Sequence, residues 1–277
     1  MQNITRRELL AGAAAAAACL QADPLGLPIG CQTYPVGKMI EKDFEGTLKQ
    51  LSTIGYRMIE LCSPPTYQGS GFGPLVGRKA SDIRKTIHDA GLGCESCHFG
   101  FKELKENLDD RIAWSKELGL KQMILASFGL KPEAAMSDWA RAAGELNPIG
   151  EKVQKAGLQL GFHNHHGEFK ELDGVLIYDK LMSEFDPKLV KMQFQVAVIS
   201  AGYEAATYFN KYPGRFISMH LADWSPTEKK PVPIGSGAVD WPKLFRAAKT
   251  GGVKNYFVEM DLDAMKVSYP YLHKLHV

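Results

Sequence analysis

The sequence has no cluster of basic residues. Its 33 Lys and Arg residues are almost balanced by 31 Asp and Glu residues, so the formal net charge over 277 residues is only +2. Proteins that bind nucleic acids concentrate positive charge against the phosphates, and this balance therefore excludes nucleic acid as an expected partner. The chain is 45% hydrophobic, which is enough for one large domain or two small ones.

The sequence also lacks an apolar run long enough to span a bilayer. The longest uninterrupted stretch, Leu9 to Leu20, is well short of the roughly 20 apolar residues that a spanning helix needs. It follows Arg6 and Arg7 and leads into small residues, a pattern typical of an export signal. The segment "TRREL" resembles a twin-arginine signal, which implies that the protein is exported already folded. We therefore predict removal of residues 1–22 near Ala22 and a periplasmic or other extracytoplasmic location; the alternatives are a weak lipid-anchor site at Cys19 and an Ala-rich helix.

Cysteine is scarce. Apart from Cys19, the chain has Cys31, Cys62, Cys94 and Cys97. The spacing "CESC" is compatible with a redox or zinc motif, but the surrounding segment reads as a strand, where residues three apart point to opposite faces. Their Cα atoms would lie roughly 10 Å apart, too far for a disulfide. A second CxxC is also missing, so we predict buried structural thiols.

Residues 23–277 alternate short apolar segments with helical patterns and form one predicted domain without a linker. Strand followed by helix is typical of parallel strands with crossover helices. Eight such units predict a single (β/α)₈ TIM barrel of the α/β class, with the active site at the C-terminal ends of the strands. The rival, an open doubly wound sheet, usually has a Gly-rich phosphate loop after its first strand, and "QTYPVGK" is not such a loop. The predicted strands are 28–34, 56–62, 91–99, 121–127, 158–163, 189–198, 215–221 and 253–260.

Three segments show the helical period most clearly. These are 43–55, 137–157 and 239–252. In the last, Asp240 is the expected cap and Pro242 lies in the first turn. Pro148 lies inside the second, and we expect it to kink or break that helix.

Polar residues follow several predicted strands. They are Glu60, His98, the group His163, His165 and Glu168 in "GFHNHHGEF", His220 with Asp223, and Glu259. If the strands form a barrel, these side chains meet at one mouth. Each also has a structural interpretation: Glu60 pairing with Arg57 or a lysine, His163 as a spacer inside the barrel, and Glu168 as a solvated loop acid.

The order of several motifs resembles one known family. "IGCQTYPVGK", "HNHHGEF", "GRFISMHLAD", "GSGAVDWPKLF" and "VEMD" occur at spacings similar to those of sugar phosphate isomerases/epimerases, the xylose isomerase-like TIM barrels. The resemblance covers about residues 28–275. It implies a divalent metal at the barrel mouth, with Mn²⁺ as first choice and Mg²⁺, Zn²⁺ or Co²⁺ as alternatives.

The resemblance also implies the ligands of that metal. His220 matches the strand-7 histidine of the family and Glu259 matches the strand-8 glutamate. Many members carry Glu directly before Asn at the end of strand 5; here His163 precedes Asn164, so Glu168 is the expected ligand and His165 its competitor. In the expected chemistry, Glu168 and Glu259 exchange the proton, while His98, His165, Glu60 and Trp224 bind the sugar.

The sequence departs from the family at three positions near the mouth. Ala197 stands where strand 6 usually supplies a metal-binding Asp, Ala222 replaces a Lys and Ser236 replaces a Glu. Gln195 lies two residues before Ala197 and offers at most a weak oxygen ligand. The resemblance therefore predicts either a site with three protein ligands, which suffice for a catalytic ion, or weak or absent metal binding.

Two functions follow as hypotheses. The first is an exported metal-dependent isomerase, epimerase or lyase that removes a proton next to the carbonyl of a keto-sugar. The second is a degenerate barrel that binds sugar without converting it. In both hypotheses the partner is a small sugar. We expect no stable membrane span, and a homodimer is one option for the oligomeric state. An apurinic-site endonuclease is disfavoured, because the metal-binding Asp and His that it needs are Ala197 and Ser200 here.

Overall fold

Eight parallel strands close into a barrel in a computed structural model that describes residues 23–277. Each strand pairs with its neighbours in sequence, and the last pairs with the first through Gly30 beside Phe257. The TIM barrel prediction is therefore confirmed, and all eight predicted strands are present. The strands are β1 Gly30–Gln32, β2 Met58–Cys62, β3 Gly93–Gly100, β4 Gln122–Ser127, β5 Gln159–His163, β6 Val190–Gln195, β7 Phe216–Leu221 and β8 Asn255–Val258.

Helices surround the barrel and shield its strands from solvent. Asp43 caps one of them by accepting a hydrogen bond from Gly46 N at 2.8 Å, and Asp240 caps another through Lys243 N at 2.9 Å. The cap predicted at Asp240 is therefore confirmed. The helices are α1 Gly37–Lys42, α2 Phe44–Ile54, α3 Ala80–Asp89, α4 Phe101–Glu106, α5 Leu108–Leu118, α6 Met136–Lys155, α7 Ile177–Glu184, α8 Ala205–Lys211, α9 Trp241–Gly251 and α10 Leu262–His273.

The break expected at Pro148 is wrong. Helix α6 continues through this proline as a single helix of 20 residues. A proline in a helix interior removes one hydrogen bond and costs ~3 kcal/mol. Here Leu146, Ile149 and Val153 on the inner face are buried on both sides of the proline, and tertiary packing of such a face supplies most of the stability of a helix in a protein.

The turn after β5 is fixed by aromatic packing. Residues His166–Phe169 form a short 3₁₀ helix, and Phe169 is buried. Its ring stacks on Tyr178 at 4.7 Å between centroids and contacts Tyr203 at 4.6 Å. This anchor determines where the polar residues on either side of Phe169 lie.

The four cysteines of the described residues are free. Cys31, Cys62 and Cys97 are buried and Cys94 is half-buried, which confirms the prediction that the CxxC spacing forms no disulfide. No helix within residues 23–277 is both long enough and apolar enough to cross a membrane. The predicted export signal, residues 1–22, lies outside the described part of the chain.

Candidate active site

A buried carboxylate lies at the centre of the barrel. Glu60, on β2, is fully buried and is surrounded by five side-chain donors on other strands. Its Oε1 accepts hydrogen bonds from Ser96 Oγ (2.5 Å) and Gln193 Nε2 (2.8 Å), and its Oε2 accepts from Gln32 Nε2 (2.7 Å) and His220 Nε2 (2.5 Å) and lies 3.1 Å from His98 Nε2. These contacts use the capacity of both oxygens, so Glu60 orients its neighbours and has no face for a sugar.

Burial and neighbouring charge have opposite effects on the pKa of Glu60. Burial raises the pKa of the carboxyl group, but the positive charge and hydrogen bonds of His98 and His220 hold it well below its usual range. Glu60 is therefore ionised at neutral pH. Its expected alternative partner, Arg57, instead donates to the backbone carbonyls of Ser52 and Tyr56.

His220 connects Glu60 to the mouth of the barrel. On β7 it lies between Gln195 of β6 and Phe257 of β8 in the barrel register. Its Nε2 donates to Glu60, and its Nδ1 lies 3.1 Å from Oε2 of Glu259 without the angle of a hydrogen bond. Burial lowers the pKa of His220, but the two carboxylates outweigh burial and raise it to about 10.

Of the two carboxylates that contact His220, Glu60 and Glu259, only Glu259 reaches solvent. It directly follows β8, where its backbone N donates to Leu221 O at 3.0 Å, and its side chain is 20% exposed. Gln195 Nε2 donates to Glu259 Oε2 at 2.5 Å, while Gln195 Oε1 accepts from Ala197 N at 3.2 Å. Burial raises the pKa of Glu259, but the charge of His220 lowers it more, so this carboxyl group is ionised.

Glu259 opens into a cavity of about 500 Å³. Trp224 lies on its wall, in a short ribbon formed by Asp223–Ser225 and Lys230–Val232, and provides an aromatic face. Tyr34, which is 49% exposed, lies on the same cavity. A cavity lined by carboxylates and two aromatic side chains can hold a polyhydroxylated ring with an apolar face. Its wall also includes Gln195, Ala197, Ala222 and Asp261.

Glu168 does not share that cavity. It lines a separate space of about 420 Å³ together with His165, Trp139 and Lys170. Its Oε2 accepts a hydrogen bond from His165 N at 2.8 Å, so the side chain caps its own turn. Burial raises the pKa of Glu168 to about 7. The structure thus brings His220 and Glu259 together and places Glu168 elsewhere, with the side chain of His165 exposed beside it.

Three histidines converge below the mouth. One ring nitrogen each of His98, His163 and His220 lies within 4.8 Å of the others, and all three side chains are buried. Nδ1 of His163 and Nδ1 of His220 have no hydrogen-bond partner. Imidazole nitrogens with a carboxylate beside them are donors that suit divalent transition metals, so the residues present fit such an ion.

His98 differs from the other two histidines. Its Nε2 lies 2.7 Å from Gln193 Oε1, and its ring stacks on that of His220 at 5.0 Å and 12° between planes. The Nε2 atoms of both rings face the same oxygen, Oε2 of Glu60. The sequence predicts that His98 binds the sugar. In the structure its Nε2 contacts Gln193 Oε1, and the residue lies below the cavity.

Asp223, the acid that follows β7, has a structural role. Its two oxygens accept hydrogen bonds from Trp224 N, Gly235 N, Gly237 N, Val239 N and Trp241 Nε1. A Cβ at Gly237 would lie 2.1 Å from Asp223 Oδ1, so the "GSG" loop can approach the carboxylate only with glycine at that position. In the sequence, the two glycines of this loop indicate a close backbone approach, but they do not show that Asp223 is the residue approached.

Several site residues were missed in the sequence. Gln32, Ser96, Gln193 and Ser218 form the hydrogen-bonded support of Glu60 and are fully buried. A signal was present, since amides and hydroxyls inside apolar strands need partners. The pairing itself depends on the register between strands distant in sequence.

Comparisons with known proteins agree with the barrel fold. The model of the xylose isomerase-like TIM barrel family matches residues 48–265. Inosose dehydratase of Lacticaseibacillus casei is 26% identical over 161 residues, which is 51% of this chain and 53% of that protein. The chain thus spans about half the length of the curated relatives it matches first.

Two solved structures share the fold. A sugar phosphate isomerase/epimerase of Parabacteroides distasonis ATCC 8503 has a TM-score of 0.73 and 24% identity, covering 89% of this chain and 94% of that one. The IOLI protein, solved with a bound zinc atom, has a TM-score of 0.62 and 12% identity, covering 90% of this chain and 94% of that one. At these identities the likeness concerns the fold alone.

Proposed function

The chain belongs to the xylose isomerase-like TIM barrel family, and from that membership we propose that it is an enzyme that removes a proton from the carbon next to the carbonyl group of a keto-sugar or keto-cyclitol. The observation that carries the proposal is Glu259: an ionised, partly exposed carboxylate at the floor of a cavity lined by two aromatic residues. Such a carboxylate within hydrogen-bond reach of a substrate C–H is a general base.

The neighbours of Glu259 prepare it for this role. Gln195 and His220 contact the same oxygen, Oε2, which leaves Oε1 free to face the cavity and take the proton. Glu60 fixes His220 from behind, and Gln193 fixes Glu60. Trp224 and Tyr34 would orient the ring, because amphipathic ligands commonly place their apolar face on aromatic side chains.

A divalent ion held by His220 and Glu259 would supply positive charge for the oxygen on which negative charge develops. The chain itself supplies the base, the fixed orientation of His220 and a cavity that encloses the reacting carbon. The buried network of Glu60 keeps the charges of the site balanced before the substrate binds.

Elimination of water is the outcome that we favour over epimerisation. The curated relatives are named inosose dehydratases, and dehydration needs an acid that protonates the leaving hydroxyl group. Glu168 and His165 line a different cavity, so we propose that Glu259, once it has taken the proton from carbon, passes that proton to the leaving hydroxyl group and is regenerated as the carboxylate.

The test is hydrogen exchange at the substrate carbon. Wild-type protein loaded with metal, incubated with an inosose in D₂O, should incorporate deuterium next to the carbonyl, as followed by NMR. Glu259→Gln should abolish the exchange, because the amide cannot accept the proton. Glu228→Gln, at an exposed position on the neighbouring ribbon, should retain it. Exchange that persists in Glu259→Gln refutes the assignment.

A second candidate function is sugar binding without turnover. Ala197 and Ala222 leave methyl groups on the cavity wall, and the Gln195 amide occupies one oxygen of Glu259. If calorimetry detects inosose binding by wild-type protein while no deuterium enters the sugar with any divalent ion, the barrel is a binding protein.

A further inference from the structure

A further cavity lies at the same end of the barrel as the cavity of Glu259. It has a volume of about 680 Å³, against about 500 Å³ for the cavity of Glu259, and its walls are the segments that follow β2, β3 and β4. Volumes of about 300–1,000 Å³ are typical of small-molecule sites. The proposed reaction takes place in the cavity of Glu259 alone, so this larger space, which we call the β2–β4 cavity, is available for another part of the substrate.

Aromatic side chains form much of the wall of the β2–β4 cavity. They are Tyr67, Phe99, Phe101 and Phe128. Tyr67 and Phe101 are half-buried, so part of each side chain remains accessible. Phe101 packs edge-to-face on the buried Phe128 with 5.0 Å between centroids, which holds the ring of Phe101 in place. A supported aromatic ring offers a surface for the apolar face of a ligand.

A carboxylate lies on the same wall. Glu103 is 8% exposed and lines the cavity. Ser63 Oγ donates to its Oε1 and Thr66 Oγ1 donates to its Oε2, each at 2.6 Å, while Arg111 lies 3.5 Å from Oε1. Each carboxylate oxygen can accept two hydrogen bonds, so Oε2 keeps one acceptor position, and the exposed Asn107 adds an amide group. Aromatic faces beside such polar groups fit a sugar ring better than a purely apolar group.

The β2–β4 cavity and the cavity of Glu259 meet at two tyrosines. Tyr34 lines the cavity of Glu259, and Tyr67 lines the β2–β4 cavity. The two rings pack edge-to-face with 5.9 Å between their centroids. Because Tyr34 is 49% exposed, this pair separates the cavities at the surface of the protein. A ligand of two rings can therefore extend over the pair from one cavity into the other.

Two glycines fix the separation of these tyrosines. A Cβ atom at Gly71 would overlap the carbonyl group of Gly37, and one at Gly37 would overlap that of Ser70. Gly71 also has a φ of +102°, a conformation that favours glycine. The loop with Tyr67 thus packs backbone against backbone on the segment that follows Tyr34. A site formed before binding loses less conformational freedom when the ligand arrives.

We propose that the substrate is a keto-disaccharide whose second sugar ring binds in the β2–β4 cavity. The keto ring lies in the cavity of Glu259, and the second ring packs on Phe101 and Tyr67 and donates a hydroxyl hydrogen bond to Glu103. The inference rests on the proposed function, which it extends from a substrate of one ring to a substrate of two.

The first experiment compares one ring with two in the wild-type protein. Calorimetry measures the binding of fructose and of keto-disaccharides in which fructose carries glucose or galactose through different linkages: lactulose, maltulose, turanose and isomaltulose. We expect at least one disaccharide to bind about tenfold more tightly than fructose, which is the scale of one aromatic contact. No gain for any of the four, or no binding of any of them, overturns the inference.

The second experiment locates the second ring. Phe101→Ala should lower the affinity for the preferred disaccharide about tenfold and leave the affinity for fructose unchanged. Phe101→Leu, which keeps an apolar side chain but has no aromatic face, should lose most of the same gain. Val76→Ala is the matched control, since Val76 is exposed in the same loop as Tyr67 and lines neither cavity. Thermal melting of each variant shows that the barrel is intact.

Two results with variants overturn the location of the second ring. Phe101→Ala and Phe101→Leu could weaken fructose and the disaccharide equally, or not at all. Trp139→Ala, in the cavity of Glu168, could instead remove the gain, which would place the second ring there.

A benzyl ether of fructose tests the nature of the second ring. It presents a flat apolar ring without hydroxyl groups, so it should gain less affinity over fructose than the preferred disaccharide does. An equal or larger gain refutes a sugar in the β2–β4 cavity. The deuterium-exchange test uses inosose, a single ring, and does not depend on this cavity. Exchange without a disaccharide gain therefore removes only the second-ring site, whereas a gain without exchange removes the proposed reaction.

Discussion

Gln195 uses both ends of its amide at the end of β6. Its oxygen accepts from Ala197 N and its nitrogen donates to Glu259. A backbone N–H needs an acceptor and a carboxylate needs a donor, so the orientation of the amide is determined by its neighbours. The oxygen that the sequence offers as a weak metal ligand therefore turns away from the site.

The Ala197→Asp substitution tests this arrangement. Ala197 lines the cavity of Glu259, so an aspartate there adds a charged oxygen donor close to the proposed ion. We expect Mn²⁺ affinity to rise more than Zn²⁺ affinity, because oxygen ligands suit Mn²⁺ better. Calorimetry of both proteins at one pH measures the change. Ser200→Asp, in the same turn and cavity, is the control, and equal gains in both variants would show a general effect of charge.

Glu168 makes a prediction about stability and pH. Its pKa is about 7 in the folded protein, above the usual 4.5, so the folded state binds this proton more tightly than the unfolded state does. That contribution is complete below about pH 4.5 and is lost as pH rises through 7. Relative to wild type, Glu168→Gln should gain about 2–3 kcal/mol between pH 5 and pH 8.

Urea unfolding at several pH values measures this difference. Glu171→Gln, at an exposed position nearby, should change the pH dependence little. A Glu168→Gln curve parallel to that of wild type would mean that the carboxyl group is solvated in the folded protein.

The sequence predicted part of the site residue by residue. His98, His220 and Glu259 do come close together, because the ends of parallel strands meet at one mouth. Glu168 was grouped with them and lies in another cavity. Its side chain folds back on His165 N, a local hydrogen bond that spacing along the sequence cannot distinguish from a side chain that faces the mouth.

At the scale of whole elements, periodicity was sufficient for the strands and misleading for one helix. The alternation of apolar segments located all eight strands, because each is buried on both faces. It did not show that α6 continues through Pro148, since the packing of the inner face is a tertiary effect. Local rules of helix termination therefore underestimate the length of a helix that packs against a barrel.

Pro148→Ala should stabilise the protein. Alanine restores the missing hydrogen bond and is about 3 kcal/mol more favourable than proline in a helix interior, while the loss of a rigid residue from the unfolded chain offsets part of this. We expect a gain of about 2 kcal/mol in the free energy of unfolding by urea. Pro242→Ala is the matched control, because Pro242 lies in the first turn of α9, where no N–H is needed. A neutral or destabilising Pro148→Ala would contradict this account of the cost of the proline.

At the scale of the whole molecule, the fold follows from sequence and the location of the protein remains a prediction. Arg6, Arg7 and the short apolar run predict export and removal of residues 1–22. We expect the mature protein to begin near residue 23 and to be found outside the cytoplasm. N-terminal sequencing of protein from cell fractions measures both, with Arg6→Lys/Arg7→Lys as a variant that should stay inside. A cytoplasmic protein that keeps Met1 contradicts the prediction.

Closure of the barrel has a consequence for synthesis. β1 pairs with β8, and the ribosome makes them at opposite ends of the domain, so until residues 255–258 emerge the nascent sheet has two open edges that invite aggregation. Glu259 follows β8 by a single position. The segment that closes the barrel is therefore followed directly by the proposed base. A chain truncated before β8 would lack both the closing strand and Glu259. If the protein is exported already folded, as the sequence predicts, barrel closure and the proposed base are both complete before export.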